Sequence, residues 1–272
     1  TQPRSATLGD SKGSRTPPAP LGIPYTGDFK GLIWNSNAFF RSDKIGERKN
    51  FDKAMEWLKT HDFLIFPEAH CTPPRVEAFQ SHLRRAGRAW ATYYPEEAAQ
   101  QREAGLLVVV SARFLSHFQP PTWQDLIPGY AGCLHFSGAS GNFDLAAVYG
   151  MVSTSSVGDR SSIWKAVRRS LRPSSSCLSC VAGDFNLTLE AEDRFEKATQ
   201  TWTGDRQGCR SERDALLDLI QDSNLYRMEQ PIHTYHCEEC TSNLDRVYLN
   251  LHVAEQQDRE PFCDPLPLDK EH

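Results

Sequence analysis

The sequence predicts a layered α/β fold on three observations. Short apolar runs of strand character alternate with stretches of helical periodicity from about residue 28 onward. Polar clusters stand at the ends of several of those runs, where side chains would gather at the rim of a sheet. The 272 residues suffice for one such domain with a large buried core. Alternation of this kind calls for sheets covered by helices, although periodicity alone does not separate a doubly wound parallel sheet from two sheets packed face to face.

Residues 1–26 carry five prolines (3, 17, 18, 20 and 24) among Ser, Gly, Thr and Arg. So little apolar material cannot offset its own ordering entropy, and the segment reads as a flexible or partner-bound arm ahead of a domain spanning 27–272. Strands are then expected at 31–34, 62–66, 89–93, 106–110, 133–136, 145–149, 179–182 and 247–251, each apolar and bounded by Gly, Pro, Ser or Asp. Helices are expected at 51–61, where Phe51, Ala54, Met55 and Leu58 share a face, and at 76–85, 162–171 and 212–223.

Composition narrows the function classes. Thirty Lys and Arg against thirty-five Asp and Glu give a net charge of −5, with 39% apolar and 24% charged residues, which excludes a fibrous or wholly disordered chain. The longest apolar run, Leu106 to Val110, is far short of the ~20 residues of a membrane-spanning helix. A mildly acidic balance argues against coating nucleic acid through bulk charge, so any nucleic-acid role must rest on a local site. Eight cysteines are too few for a disulfide-dense scaffold and read mostly as free intracellular thiols.

Five clusters carry candidate chemistry: Trp34-Asn35, Glu68 after the run 63–66, Tyr149-Gly150 after 145–148, Gly183-Asp184-Phe185-Asn186 after 180–182, and Leu244-Asp245-Arg246 before 247–249. A carboxylate such as Glu68 is a hard oxygen ligand for Mg²⁺, and Asn35 can orient it or reach the metal through its own carbonyl. Asp184 can accept a proton from an attacking water, with Asn186 two residues on holding that water or a phosphate oxygen. Tyr149 can donate to a non-bridging phosphate oxygen, and Asp245 can orient a histidine.

The ordered set 34–35, 68, 149–150, 183–189 (Gly-Asp-Phe-Asn-Leu-Thr-Leu) and 242–248 (Ser-Asn-Leu-Asp-Arg-Val-Tyr) resembles the endonuclease/exonuclease/phosphatase superfamily over roughly residues 28–272. The resemblance implies a four-layer α/β/β/α sandwich of two packed mixed sheets. It also implies a Mg²⁺-dependent phosphodiesterase site, with Mn²⁺ as an alternative ion, in which Glu68 and Asn35 hold the metal and Asp184, Asn186, Tyr149 and Asp245 serve catalysis. Tyr149 and the wording around 183–189 and 244–248 are most similar to the apurinic and retrotransposon endonucleases, which makes DNA the expected substrate. Three positions depart from the family pattern. Pro67 stands where Gln is usual, Met151-Val152 replaces the segment with a phosphate-contacting Asn, and no Ser-Asp-His is present. The nearest candidate for that histidine is His272, 272 − 245 = 27 residues after Asp245, a separation compatible with the family; either the final strand follows it in a longer chain or this member has lost the catalytic histidine.

Two other readings stay open: a catalytically degraded member acting as an interaction subunit, with the Pro-rich arm engaging a protein partner, and a phosphatase on a nucleotide, lipid or inositol phosphate. Of the remaining motifs, His233, His236, Cys237 and Cys240 have zinc-ligand types, but the compressed spacing disfavours a structural Zn²⁺. His70 and Cys71 are expected to line the site beside Glu68. Arg168, Arg169 and Arg172 read as the solvated face of a helix.

Overall fold

The computed structural model describes residues 22–35, 38–40, 44–85, 90–95, 105–150, 160–204, 209–230 and 233–251. Two mixed sheets form the centre. The first contains β1 (Gly31–Ile33), β2 (Phe63–Pro67), β3 (Trp90–Tyr93) and β4 (Leu106–Ser111) in the order β1-β2-β4-β3, with β1 and β2 parallel and the other pairs antiparallel. The second contains β5 (Thr122–Ile127), β6 (Ala131–Gly138), β7 (Gly141–Tyr149), β8 (Leu178–Asp184), β11 (Tyr226–Arg227) and β14 (Asp245–Leu249) in the order β11-β14-β8-β7-β6-β5. Here β7 and β8 are the parallel pair. Helices α1 (Lys44–Trp57) and α2 (Pro73–Arg85) cover the first sheet, and α4 (Ser161–Ser170) and α5 (Arg210–Asp222) cover the second. The short α3 (Ala112–Leu115) closes β4, capped by the Ser111 hydroxyl, which accepts from the Phe114 amide.

The apolar runs are continuous because the central strands are buried on both faces, and their residues divide by alternation. In β2, Phe63 and Ile65 face the space between the sheets while Leu64 and Phe66 pack under α1 and α2. In β4, Leu106, Val108 and Val110 face inward and Leu107 and Val109 outward. In β7, Phe143, Leu145 and Ala147 line the inter-sheet core and Ala146 and Val148 meet the helices of the other side, as Val181 of β8 also does. The helices answer with single faces: Val76, Phe79 and Leu83 from α2, Ile163, Trp164 and Val167 from α4, and Ala215, Leu216 and Leu219 from α5. These four layers are the sandwich that the motif resemblance implies.

A third sheet, not anticipated, lies beside the sandwich: β9 (Arg194–Glu196), β10 (Thr201–Trp202), β12 (Tyr235–His236) and β13 (Cys240–Ser242), in the order β10-β9-β13-β12. It is tied to the main body by a buried ion pair. Arg246 Nη2 donates to Asp193 Oδ2 at 2.6 Å, with both side chains essentially inaccessible, and Arg227 reaches Asp193 Oδ1 at 2.8 Å. Burial alone would raise the Asp193 carboxyl, but Arg246, the amides of Glu190 and Leu189, and Arg227 hold it below its ordinary range.

Three expectations are corrected by the packing. Pro24 forms a bridge with Asn142 and Tyr25 is buried against Phe114, Phe118 and Phe143, so the arm drawn from composition overlaps the packed chain there. Arg172 is not on a solvated helix face, because α4 stops at Ser170. Its backbone amide and Nε bond the buried Asp144, whose carboxylate also meets His135 Nδ1 at 2.8 Å. Cys71 points into the core under α2 and does not line the site. Cys133, Cys177 and Cys180 are likewise buried thiols. Among the described residues no helix is long and apolar enough to cross a membrane.

Candidate active site

The polar clusters meet at one rim of the sandwich, and strand alternation explains why. Ala147, Ala182 and Val247 sit on the inter-sheet face of β7, β8 and β14, so the residues two positions toward the rim, Tyr149, Asp184 and Asp245, face the same way. The ladders bring these three side by side, with Tyr149 opposite Asp184 in the parallel pair and Asp245 opposite Asp184 in the antiparallel pair. From the other sheet, Asn35 follows β1 and Glu68 follows β2. The apolar core thus turns polar where it opens.

The Asn35 amide links the two sheets there. Asn35 Nδ2 donates to Asp184 Oδ2 at 2.9 Å and to Glu68 Oε2 at 3.4 Å. The Tyr149 hydroxyl lies in hydrogen-bonding reach of Glu68, and its ring stacks on Tyr130, with centroids 6.0 Å apart and an interplanar angle of 5°. Burial first, then the charges of Glu68 and Asp184, push the Tyr149 phenol well above its usual range, so it remains a donor at any working pH.

Asp184 accepts at Oδ1 from the Asn186 amide at 3.0 Å. Burial and the nearby Glu68 charge raise its carboxyl, against the opposing pull of the Asn35 amide and the Asn186 N–H. Asp245 is pushed up to about 7 by burial and then by the charge of Asp184. Its Oδ1 is buried without a hydrogen-bond partner among the described residues, while its backbone N–H donates to Thr234 Oγ1. Among the described residues the basic group beside these carboxylates is His70, whose Nε2 lies 3.9 Å from Glu68 Oε1. Asp245 does not pair with its neighbour Arg246, which belongs to Asp193 on the other face.

Close backbone approach fixes the β7–β8 junction. The Gly150 amide donates to the Asp184 carbonyl at 2.6 Å, and Asn186 Nδ2 donates to the Gly150 carbonyl at 2.8 Å. One donor of the amide that sequence reasoning offered to water or phosphate is therefore spent on the backbone, where Asn186 holds the end of β7 against the loop after β8. A Cβ on Gly150 would fall 2.0 Å from the Phe185 carbonyl oxygen, which explains the glycine after Tyr149. Glu68, His70 and Asn186 hold φ angles of 52°, 53° and 44°. Such left-handed non-glycine residues cost about 1–3 kcal/mol each and persist only where the surroundings over-determine them.

Several supporting residues carry no sequence signal. Arg160 Nη2 donates to the Asn186 carbonyl at 3.0 Å while its Nε bonds the buried Glu212 of α5. Thr234 and Tyr130 likewise reach the site only through the fold. His272 lies outside the described residues. The four zinc-ligand types at 233–240 do not converge: His233 Nδ1 and Nε2 meet Thr241 Oγ1 and the Glu192 carbonyl, and His236 Nε2 meets the His233 carbonyl.

No family model matches the chain, and no curated protein sequence matches it significantly. Solved structures do. The chain is similar to an AP endonuclease from Archaeoglobus fulgidus, with 12% identity, coverage of 84% of this chain and 89% of that one, and a TM-score of 0.56. The AP endonuclease LMAP from Leishmania major is 13% identical over 86% of each chain, with a TM-score of 0.61. The 3′ phosphatase NExo from Neisseria, bound to a product DNA hairpin, is 14% identical over 88% of this chain and 95% of that one, with a TM-score of 0.58.

Proposed function

We propose that this chain, whose fold is that of the endonuclease/exonuclease/phosphatase superfamily, is a divalent-metal-dependent phosphodiesterase that cleaves DNA as an endonuclease of the apurinic or retroelement type. The observation that carries the reading is the Asn35 amide joining Glu68 and Asp184 across the two sheets, with Tyr149 and Asp245 in the adjoining register positions. Carboxylates brought together with no Lys or Arg among the described residues to neutralise them, Glu68 on left-handed backbone, destabilise a fold, and they are expected where a cation and a phosphate complete the set.

The donor set fits a hard divalent ion, Mg²⁺ or Mn²⁺: it offers carboxylate and amide oxygens and no thiolate. Glu68, with Asn35, would hold the ion, which when bound supplies positive charge to the phosphate oxygens. Asp184 accepts the proton of the attacking water at a carboxylate oxygen. The Tyr149 hydroxyl donates to a non-bridging phosphate oxygen. The buried Asp245 Oδ1 is an acceptor suited to fixing an imidazole N–H, the role expected of it toward His272.

The test is cleavage of abasic, nicked and supercoiled DNA with Mg²⁺ or Mn²⁺, by the native protein and by Asp184→Ala. Metal-dependent cleavage abolished by the substitution is the expected result. An inert native protein, or cleavage that survives Asp184→Ala, overturns the reading.

A further inference from the structure

The third sheet carries a pair of thiols that the nuclease reading does not use. Cys237 and Cys240 face each other across the turn between β12 and β13, with Sγ atoms 3.3 Å apart. The turn is closed in both directions: the Cys237 amide donates to the Cys240 carbonyl at 2.9 Å, and the Cys240 amide donates to Cys237 Sγ at 3.3 Å. The two sulfurs differ in access, Cys237 being half-buried and Cys240 buried.

Their surroundings favour a thiolate on Cys237 and disfavour a metal. Hydrogen bonds from the Cys240 thiol and amide, with the Tyr235 hydroxyl adding to them, lower the Cys237 thiol below its ordinary value. Burial, followed by the proximity of Cys237, raises Cys240. Arg194, bonded to Glu196 across the sheet from Cys240, lies close enough to act on both sulfurs, and the Lys197 ammonium donates to the Cys237 carbonyl. Cationic side chains stabilise a thiolate and repel a divalent ion, and both ring nitrogens of the neighbouring His233 and the Nε2 of His236 already have other hydrogen-bond partners.

The hairpin bearing this pair also positions the rim. Thr234, immediately before β12, accepts the Leu244 and Asp245 amides at 3.2 and 3.1 Å, and β13 runs directly into that segment. We propose that Cys237 and Cys240 form a reversible dithiol–disulfide couple, with Cys237 attacking and Cys240 resolving, whose oxidation staples the hairpin that holds Asp245.

The oxidant is a small disulfide. The Cys237 thiolate attacks one of its sulfurs, forming a mixed disulfide and expelling one small thiolate. Cys240 then loses its proton and attacks Cys237 Sγ, expelling the second small thiolate. Two protein thiols are oxidised by two electrons, one small disulfide is reduced to two thiols, and the protons released pass to the leaving thiolates. A small thiol reverses both steps.

The full chain is equilibrated in mixtures of reduced and oxidised glutathione, acid-quenched, alkylated and mapped by peptide mass spectrometry. A Cys237–Cys240 link is expected to form under oxidised glutathione and vanish under reduced glutathione, while the exposed Cys209 remains alkylatable. Cys240→Ser is expected to trap glutathione on Cys237, and Cys237→Ser to leave Cys240 unmodified. Amide exchange at Leu244 and Asp245 is expected to slow in the oxidised form. Alkylation of both cysteines at every ratio, a link of either one to a different cysteine, or one equivalent of zinc released on thiol titration overturns the couple. Unchanged exchange at Leu244 and Asp245 overturns the staple.

Discussion

Replacing Gly150 with Ala tests the architecture of the candidate site most directly. The added Cβ would fall 2.0 Å from the Phe185 carbonyl oxygen, 2.4 Å from its carbon and 3.1 Å from the Asn186 nitrogen, all backbone atoms with no rotamer to change. The loop after β8 must retreat by about 1 Å to restore ordinary contact, and forced overpacking of this kind costs about 1–3 kcal/mol. Retreat also stretches the 2.6 Å bond from the Gly150 amide to the Asp184 carbonyl and the 2.8 Å bond from Asn186 to the Gly150 carbonyl. Losing one of these adds about 1 kcal/mol, for a total of about 2–4 kcal/mol. In a domain of this size each kcal/mol lowers Tm by about 2–4 °C, so a fall of roughly 4–16 °C is expected by circular dichroism. Because the displaced loop carries Asp184 away from Tyr149, DNA cleavage should fall even well below the new Tm. A variant melting within about 2 °C of the native protein, with cleavage unchanged, would refute the argument that close approach dictates this glycine.

The raised carboxyl of Asp245 fixes a sign for pH. Folded Asp245 keeps its proton up to about 7 while the unfolded chain releases it near the ordinary aspartate value of 3.8, so the folded state binds the extra proton and its stability falls as pH rises through that window. Asp245→Asn should therefore be more stable than native in chelator at about pH 8, by about 1–3 kcal/mol after screening, with the gap closing toward about pH 5; a pH-independent gap in urea denaturation contradicts this. Asp193→Ala strands the buried Arg246 guanidinium and should cost about 3–5 kcal/mol in the same assay, an unchanged midpoint being the refuting result. Asn35→Ala removes the amide shared by Glu68 and Asp184 and should weaken metal affinity or turnover by about 10–100-fold, read by cleavage rate against Mg²⁺ concentration; a rate equal to native at low Mg²⁺ would count against the bridge.

The central strands were legible because burial on both faces forces an unbroken apolar run, as in 63–66 and 106–110. The opening turns of α1 were not, since Lys44 to Asn50 is almost wholly polar and includes Gly46. The strands of the third sheet are two or three residues long and exist through partners far along the chain, such as Arg194 with Ser242. Among the site residues, Tyr149, Asp184 and Asp245 were readable as polar residues ending apolar runs. Arg160 and Thr234 lie in connecting segments and acquire their contacts only when those segments are folded against the rim. Arg172 was misjudged because it follows Arg168 and Arg169 in a helical pattern that the chain abandons just before Pro173, swinging the guanidinium onto Asp144.

The rim residues Tyr149, Asp184 and Asp245 are carried by β7, β8 and β14, interior strands of the six-stranded sheet, and none belongs to an edge. The strand pairing that sets them side by side is lost only when the central ladder itself comes apart. The chemistry therefore shares a cooperative unit with the hydrophobic core: a partly unfolded molecule keeps neither, and conditions that preserve the core preserve the spacing of the three side chains with it.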